Sequence, residues 1–213
     1  FELSRQILEV LSACDHPVGI VTKSALIIRD IDILSSMASR GLVKVAVSVT
    51  TLDRKLARAM EPRASTPEKR LETVEKLASA GVPAAVMVAP VIPGLTDSEM
   101  ERILERASVA GAAEAGSILL RLPLEIGDLV VEWRKATCPD RAERVLSLMR
   151  QSRGGKLYEA KFGDRMEGDG PYAWMIGRRF QMAAERLGLN GSVPLRTDLF
   201  TPPKRSGQQL RLL

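Results

Sequence analysis

Four short apolar runs, each separated from the next by a helical segment, constrain this chain more than any other feature. PVGIVT (residues 17–22), VKVAVSV (43–49), PAAVMVAPVI (83–92) and AGSILLRLPLE (115–125) carry apolar residues in succession instead of alternating them with polar ones. A strand with one wet face alternates; a run apolar at successive positions is expected of a parallel sheet buried on both faces. Between the runs lie IRDIDILSSMASRG (28–41), TPEKRLETVEKLASAG (66–81) and TDSEMERILERASVAG (96–111), each closing on a glycine suited to the position just past a helix. Ser65 with Glu68, and Thr96 with Glu99, have capping-box spacing, and Pro67 suits a first turn. A short helix is expected to start at Leu52, with Thr50 or Thr51 as its cap. The units recur at intervals of roughly 25–40 residues, which is α/β architecture with a helix-covered parallel sheet. Right-handed crossovers then leave an open doubly wound sheet or a barrel.

In either arrangement the carboxyl ends of the strands carry the chemistry. Those ends read Thr22-Lys23-Ser24, Ser48-Val49-Thr50-Thr51, Ala89-Pro90-Val91-Ile92-Pro93-Gly94 and Arg121-Leu122-Pro123-Leu124-Glu125. If the strands share one sheet, these sets converge on one crevice. Lys23 can neutralise a carboxylate or phosphate, act as a Schiff-base amine if desolvated, or stand as a solvated loop lysine. Ser48, within an apolar strand, needs a hydrogen-bond partner for its hydroxyl, a neighbouring backbone group or a ligand. Arg63 can pair with Glu61 or Asp53 or point back into the crevice. His16 precedes its strand, which puts it at the opposite end, in a structural role. No G-x-G-x-x-G follows any strand, which disfavours a dinucleotide site.

Composition removes other classes. There is no long apolar run and no signal-peptide pattern, so a cytoplasmic location with no membrane partner is expected. The two cysteines, Cys14 and Cys138, stand far apart and form neither a disulfide framework nor a metal finger. A net charge of +5, with basic residues gathered between Arg141 and Arg186, permits an anionic partner such as DNA without requiring one. After Asp128 the pattern turns helical only, and beyond Asn190 a proline-containing segment reads as an extended, flexible tail. The chain starts at Phe1, inside an amphipathic helical pattern that has no cap before it, and a preceding N-terminal part is expected.

The order of the segments PVGIVTKSALIIRDIDIL, VAVSVTTLD, MEPRASTPEKRLETVEKLASAGVPAAVMVAPVIPGLTD, AGSILLRLPLE and RQSRGGKLYEAKFGDRMEGDGPYA resembles the radical S-adenosylmethionine (radical SAM) proteins. Within them it looks like the branch related to spore photoproduct lyase. The resemblance implies a partial (βα) barrel, with residues 1–127 supplying its third to sixth strands, a helical extension at 128–190 and a tail at 191–213. It implies S-adenosylmethionine and a [4Fe–4S] cluster as cofactors, with the three cluster cysteines upstream of Phe1, because Cys14 and Cys138 cannot replace a set of clustered thiolates. The chain as it stands is then expected to lack the cluster and its activity. It implies reductive cleavage of the cofactor to a 5′-deoxyadenosyl radical, an electron donor such as flavodoxin or ferredoxin, and DNA repair as one possible task.

Carried over residue by residue, the resemblance gives Lys23 the cofactor carboxylate and Ser48 a polar contact, with Ser24 and Thr50 beside them. The backbone of Ala89, Pro90 and Val91 borders the adenine, and Arg63, Arg121 and Glu125 orient cofactor or substrate. The final residues Gln209, Leu210, Leu212 and Leu213 resemble the short peptide that bacterial proteins insert into the DNA sliding clamp, a glutamine for polar contacts and leucines for an apolar groove. Two other functions compete: a barrel lyase or aldolase with Lys23 as Schiff base, and a non-catalytic, clamp-associated nucleic-acid accessory.

Overall fold

In a computed structural model the described residues are 3–122, 126, 127, 129, 130, 132, 139–155, 166 and 168–203. The elements are α1 (Leu3–Ala13), β1 (Val18–Thr22), a 3-10 helix (Ala25–Asp30) running into α2 (Ile31–Ala38), β2 (Val43–Ser48), α3 (Arg54–Met60), α4 (Pro67–Ser79) and β3 (Ala84–Val91). A 3-10 turn (Asp97–Glu99), α5 (Met100–Val109), β4 (Glu114–Leu119), α6 (Pro139–Gln151) and α7 (Pro171–Arg186) follow. The four strands form one parallel sheet in the order β1-β2-β3-β4, the α/β arrangement expected from the non-alternating runs.

The register shows how the two faces differ. Val43, Val45 and Val47 point to one side and are fully buried, packed with Leu34 and Met37 of α2 and Val74 and Leu77 of α4. Val86 and Val88 of β3 continue that side against Met100, Ile103 and Leu104 of α5 and Ile176 of α7. The opposite side is laid down by the pairs Val21↔Ala46, Ser48↔Met87 and Met87↔Gly116. It is only partly covered: Val21 is 69 % exposed. The expectation of strands buried on both faces is therefore corrected. The middle of the second face is laid down by Ala46, Ala85, Met87 and Gly116, and a period-of-two test cannot separate such residues from buried ones. Gly116 shows how tightly the small residues are set, since a Cβ there would stand 2.6 Å from Met87 Sδ.

Helix starts depart from the expected caps. Thr66 caps α4, its hydroxyl accepting from Lys69 N at 3.4 Å, with Pro67 at the first position. Asp53 caps α3 by accepting from Lys55 N at 2.7 Å and Leu56 N at 3.1 Å, which replaces Thr50 or Thr51 in that role. Thr96 Oγ1 accepts from Ile92 N at 2.9 Å, and the Glu99 carboxylate reaches across to the Thr51 hydroxyl and to Leu52 N at 3.0 Å. In each case the side chain expected to cap serves a longer-range contact instead.

The tail has a built course as far as residue 203. It runs extended along the amino ends of the strands, with Lys44 Nζ donating to Val193 O at 3.3 Å, Arg196 N to Gly41 O at 2.9 Å and Thr201 N to Cys14 O at 2.8 Å. Gly41 has φ 72°, and a side chain there would press on Arg196 at 3.3 Å. His16 packs edge-on against Phe200 at 5.1 Å between ring centroids, the structural role expected of it. Among the described residues no helix is long and apolar enough to cross a membrane. The one-sided covering of the sheet has a measurable consequence: Leu77→Ala should cost about 2–5 kcal/mol in urea unfolding, whereas Val21→Thr should cost about 0.5 kcal/mol or less. Equal losses would mean that both faces are buried.

Candidate functional site

The carboxyl ends of β1, β2 and β3 are joined by one hydrogen-bonded network. After Thr22 the chain turns sharply: Ser24 N donates to Thr22 Oγ1 at 3.0 Å, and Ser24 Oγ caps the 3-10 helix by accepting from Leu26 N at 3.2 Å. Lys23 is left projecting between two hydroxyl-bearing residues that hold the backbone. Ser65 braces this turn from the α3–α4 loop, its N donating to Lys23 O at 3.3 Å and its hydroxyl accepting from Ala25 N at 2.9 Å.

Lys23 Nζ donates to Glu61 Oε1. Glu61 Oε2 accepts from Arg70 Nη2 at 2.5 Å, and Arg70, only 2 % exposed, also donates from Nη1 to Ser48 O at 3.0 Å and from Nε to Ser65 O at 2.7 Å. Thr50 Oγ1 lies 3.2 Å from both Glu61 Oε1 and Ala89 O. A buried guanidinium needs its donors satisfied; the carbonyl of a strand end, the carbonyl of a loop and a carboxylate do this together. Burial pushes the Glu61 carboxyl upward, but the hydrogen bonds and charges of Lys23 and Arg70 outweigh it and hold that carboxyl below the usual glutamate range.

Ser48 is buried at 3 % exposure and lies opposite Met87 on the partly covered face of the sheet. Ala89 and Pro90 are half-buried beside it, joined by a cis peptide bond, and Val91 is buried. Arg63 is exposed and outside the network, since Glu61 is held by Lys23 and Arg70 while Asp53 caps α3. Arg121 places Nη1 at 3.7 Å from Met166 Sδ, and its Nε is buried without a hydrogen-bond partner among the described residues. Glu125, Gln209, Leu210, Leu212 and Leu213 lie outside the described residues.

The sequence pattern gave Ser65 only a capping role and Glu61 only a pairing with Arg63, and it did not single out Arg70. Arg70 had a signal: it sits four residues before Val74 and seven before Leu77, on the stripe that α4 turns to the core. Cys14 is buried at the far end of the sheet, with its carbonyl tied to Thr201 N. Among the described residues no group of three or more His, Cys, Asp or Glu is placed to hold a metal ion. They therefore do not fit an iron–sulfur cluster, whereas a half-exposed ammonium with a hydroxyl at the next strand end fits a polar ligand carrying a carboxylate.

The network makes a pH prediction with a definite sign. Because the folded Glu61 carboxyl is held low, its contribution to stability is complete above the unfolded value, about 4.3, and is lost as the pH falls through the lower folded value. The excess stability of the wild type over Glu61→Gln in urea unfolding should shrink between about pH 7 and about pH 3. A constant gap across that range would remove the ionised Glu61 from the account.

Comparison with known proteins places the fold. The radical SAM superfamily pattern matches residues 2–107, about half of the chain. An uncharacterized protein of Mycobacterium tuberculosis (strain ATCC 25618 / H37Rv) is 32 % identical over 153 residues, covering 71 % of this chain and 45 % of that protein. An uncharacterized protein of Methanocaldococcus jannaschii is 29 % identical over 99 residues, 46 % of this chain and 37 % of its own length. The chain thus spans less than half the length of these relatives. Among solved structures, two mutants of spore photoproduct lyase superpose with TM-scores of 0.60 and 0.61, at 19 % and 18 % identity, each covering 86 % of this chain and 52 % of its own. The sheet order and these matches agree: the chain belongs to the radical SAM superfamily and shares the fold of spore photoproduct lyase.

Proposed function

We propose that this chain supplies the S-adenosylmethionine-binding side of a radical SAM enzyme. The observation that carries this reading is the placement, at adjacent strand ends, of a half-exposed, carboxylate-bound Lys23 ammonium and the Ser48 hydroxyl on the partly covered face of the sheet. Lys23 would take the amino-acid carboxylate of the cofactor, an ammonium-to-carboxylate contact of the strong, charge-assisted kind. Ser48 would donate to or accept from its polar groups, and the Ala89–Val91 turn would offer backbone and apolar surface to the adenine. The hydroxyls of Ser24 and Thr50 serve the turn and the network, so their part is to hold Lys23 and Glu61 in place. When bound and reduced, this cofactor supplies the 5′-deoxyadenosyl radical of the family's chemistry, while the residues of this chain bind and orient it. The cluster and the electron donor that such chemistry requires lie outside what the described residues provide.

The Schiff-base alternative fits less well. A lysine that attacks carbonyls works as a free amine in an apolar pocket, whereas Lys23 sits in an ion pair with 37 % of its side chain exposed. Equilibrium dialysis with labelled S-adenosylmethionine tests the reading: Lys23→Ala should weaken binding by about ten- to a hundredfold, and Arg63→Ala should leave it within about twofold. Binding to Lys23→Ala at wild-type strength would sink it.

A second reading, that the protein works on DNA while tethered to the sliding clamp, is favoured by the course of residues 191–203. They are held against the amino ends of the strands, at Gly41, Lys44 and Cys14, so a peptide following residue 203 starts from the end opposite the crevice. A partner bound there would leave the crevice accessible. The full chain should bind purified clamp, and Gln209→Ala or Leu212→Ala should abolish that binding; no binding at high micromolar concentration would reject the tether.

A further inference from the structure

We infer that Glu61 is a built-in competitor for the ligand site, an internal carboxylate that occupies Lys23 until a ligand carboxylate replaces it. This rests on the reading of Lys23 as a cofactor-binding residue and adds to it a positioning residue that sets the affinity.

The inference comes from how unevenly the three charged groups are buried. The side chain of Arg70 is 2 % exposed, that of Glu61 15 % and that of Lys23 37 %. Arg70 is immobilised by Ser48 O, Ser65 O and Glu61, all within 3.0 Å. Glu61 uses its two oxygens differently: Oε2 faces Arg70, and Oε1 faces Lys23 and the Thr50 hydroxyl. It therefore has two cationic partners and can release one without becoming an uncompensated buried charge. Lys23 is the half-exposed member, on a flexible four-carbon stem, and is the one free to move. An incoming carboxylate thus exchanges places with Glu61 at the ammonium, while Arg70 and Thr50 keep Glu61 where it is. Ligands without a carboxylate gain nothing from the exchange.

The test uses the full chain and two probes, S-adenosylmethionine and 5′-methylthioadenosine, which lacks the amino-acid carboxylate. Glu61→Gln keeps an oxygen for Arg70 but removes the charge that holds Lys23. It should tighten S-adenosylmethionine about three- to fivefold and leave methylthioadenosine unchanged. In a Lys23→Ala background the same substitution should have no effect on either probe, since Glu61 acts only through Lys23. Unchanged or weaker S-adenosylmethionine binding by Glu61→Gln overturns the competitor role, while the Lys23 reading stands if Lys23→Ala still lowers affinity; no binding by the wild type overturns both. If Glu61→Gln does not fold, carboxyl 13C NMR of the wild type decides. The Glu61 signal should shift on adding S-adenosylmethionine and stay fixed with methylthioadenosine, and a signal indifferent to both overturns the proposal.

Discussion

The contact on which the crevice depends is the buried ion pair of Arg70 with Glu61. A guanidinium taken out of water costs several kcal/mol unless its donors are met, and around Arg70 they are met by groups from three places. Ser48 O belongs to the end of β2, Ser65 O to the loop before α4, and Glu61 to the end of α3. Satisfying one side chain therefore fixes the α3–α4 loop against the sheet. Through Glu61 it fixes Lys23 at the end of β1, and through Thr50 the carbonyl of Ala89 in β3. The geometry of the three strand ends is the geometry of this arginine's hydrogen bonds.

The open face of the sheet has a second polar contact at its other end, of a different kind. Lys44 of β2 and Glu114 of β4 meet at 3.0 Å beside the extended tail, which supplies the carbonyl of Val193 to Lys44 and its N–H to Glu114. Every partner there belongs to the chain, and the tail lies over the pair. At the carboxyl end the carboxylate of the Lys23 pair is held from below by the buried Arg70 instead of by an extended tail. In parallel βα folds the amino end of the sheet serves stability and the carboxyl end serves chemistry, and the proposed role of Lys23 follows that division.

Much of this was legible in the sequence. The four strands and the glycines that close the helices follow from local pattern, because apolar succession and positive-φ requirements are read within a few residues. Lys23 and Ser48 were legible for the same reason, as polar residues interrupting apolar strands. Glu61 and Arg70 were not, since their meaning lies in contacts that no local window contains: an arginine nine residues from its carboxylate satisfies a strand carbonyl twenty-two residues away. The caps failed likewise. Ser65 and Glu99 have the right spacing for caps, yet each finds a distant partner, Ser65 at Ala25 and Glu99 at Thr51 and Leu52. One-sided covering was invisible because alanine, glycine and valine are apolar whether they face a core or an open cleft.

An ion pair at a ligand site changes what affinity means there. If Lys23 stood free, a ligand carboxylate would gain a whole charge-assisted contact. On the proposed reading, with Glu61 already in place, binding would be an exchange of one carboxylate for another, and only the difference between the two contacts would appear as affinity. Contacts to the rest of the proposed ligand would then supply most of the binding, and the carboxylate contact would add the selectivity for ligands that carry one. Arg70 makes the exchange feasible, because the carboxylate that is displaced remains paired. The same buried arginine that braces the strand ends would thus also allow the lysine beside them to change partners, as proposed.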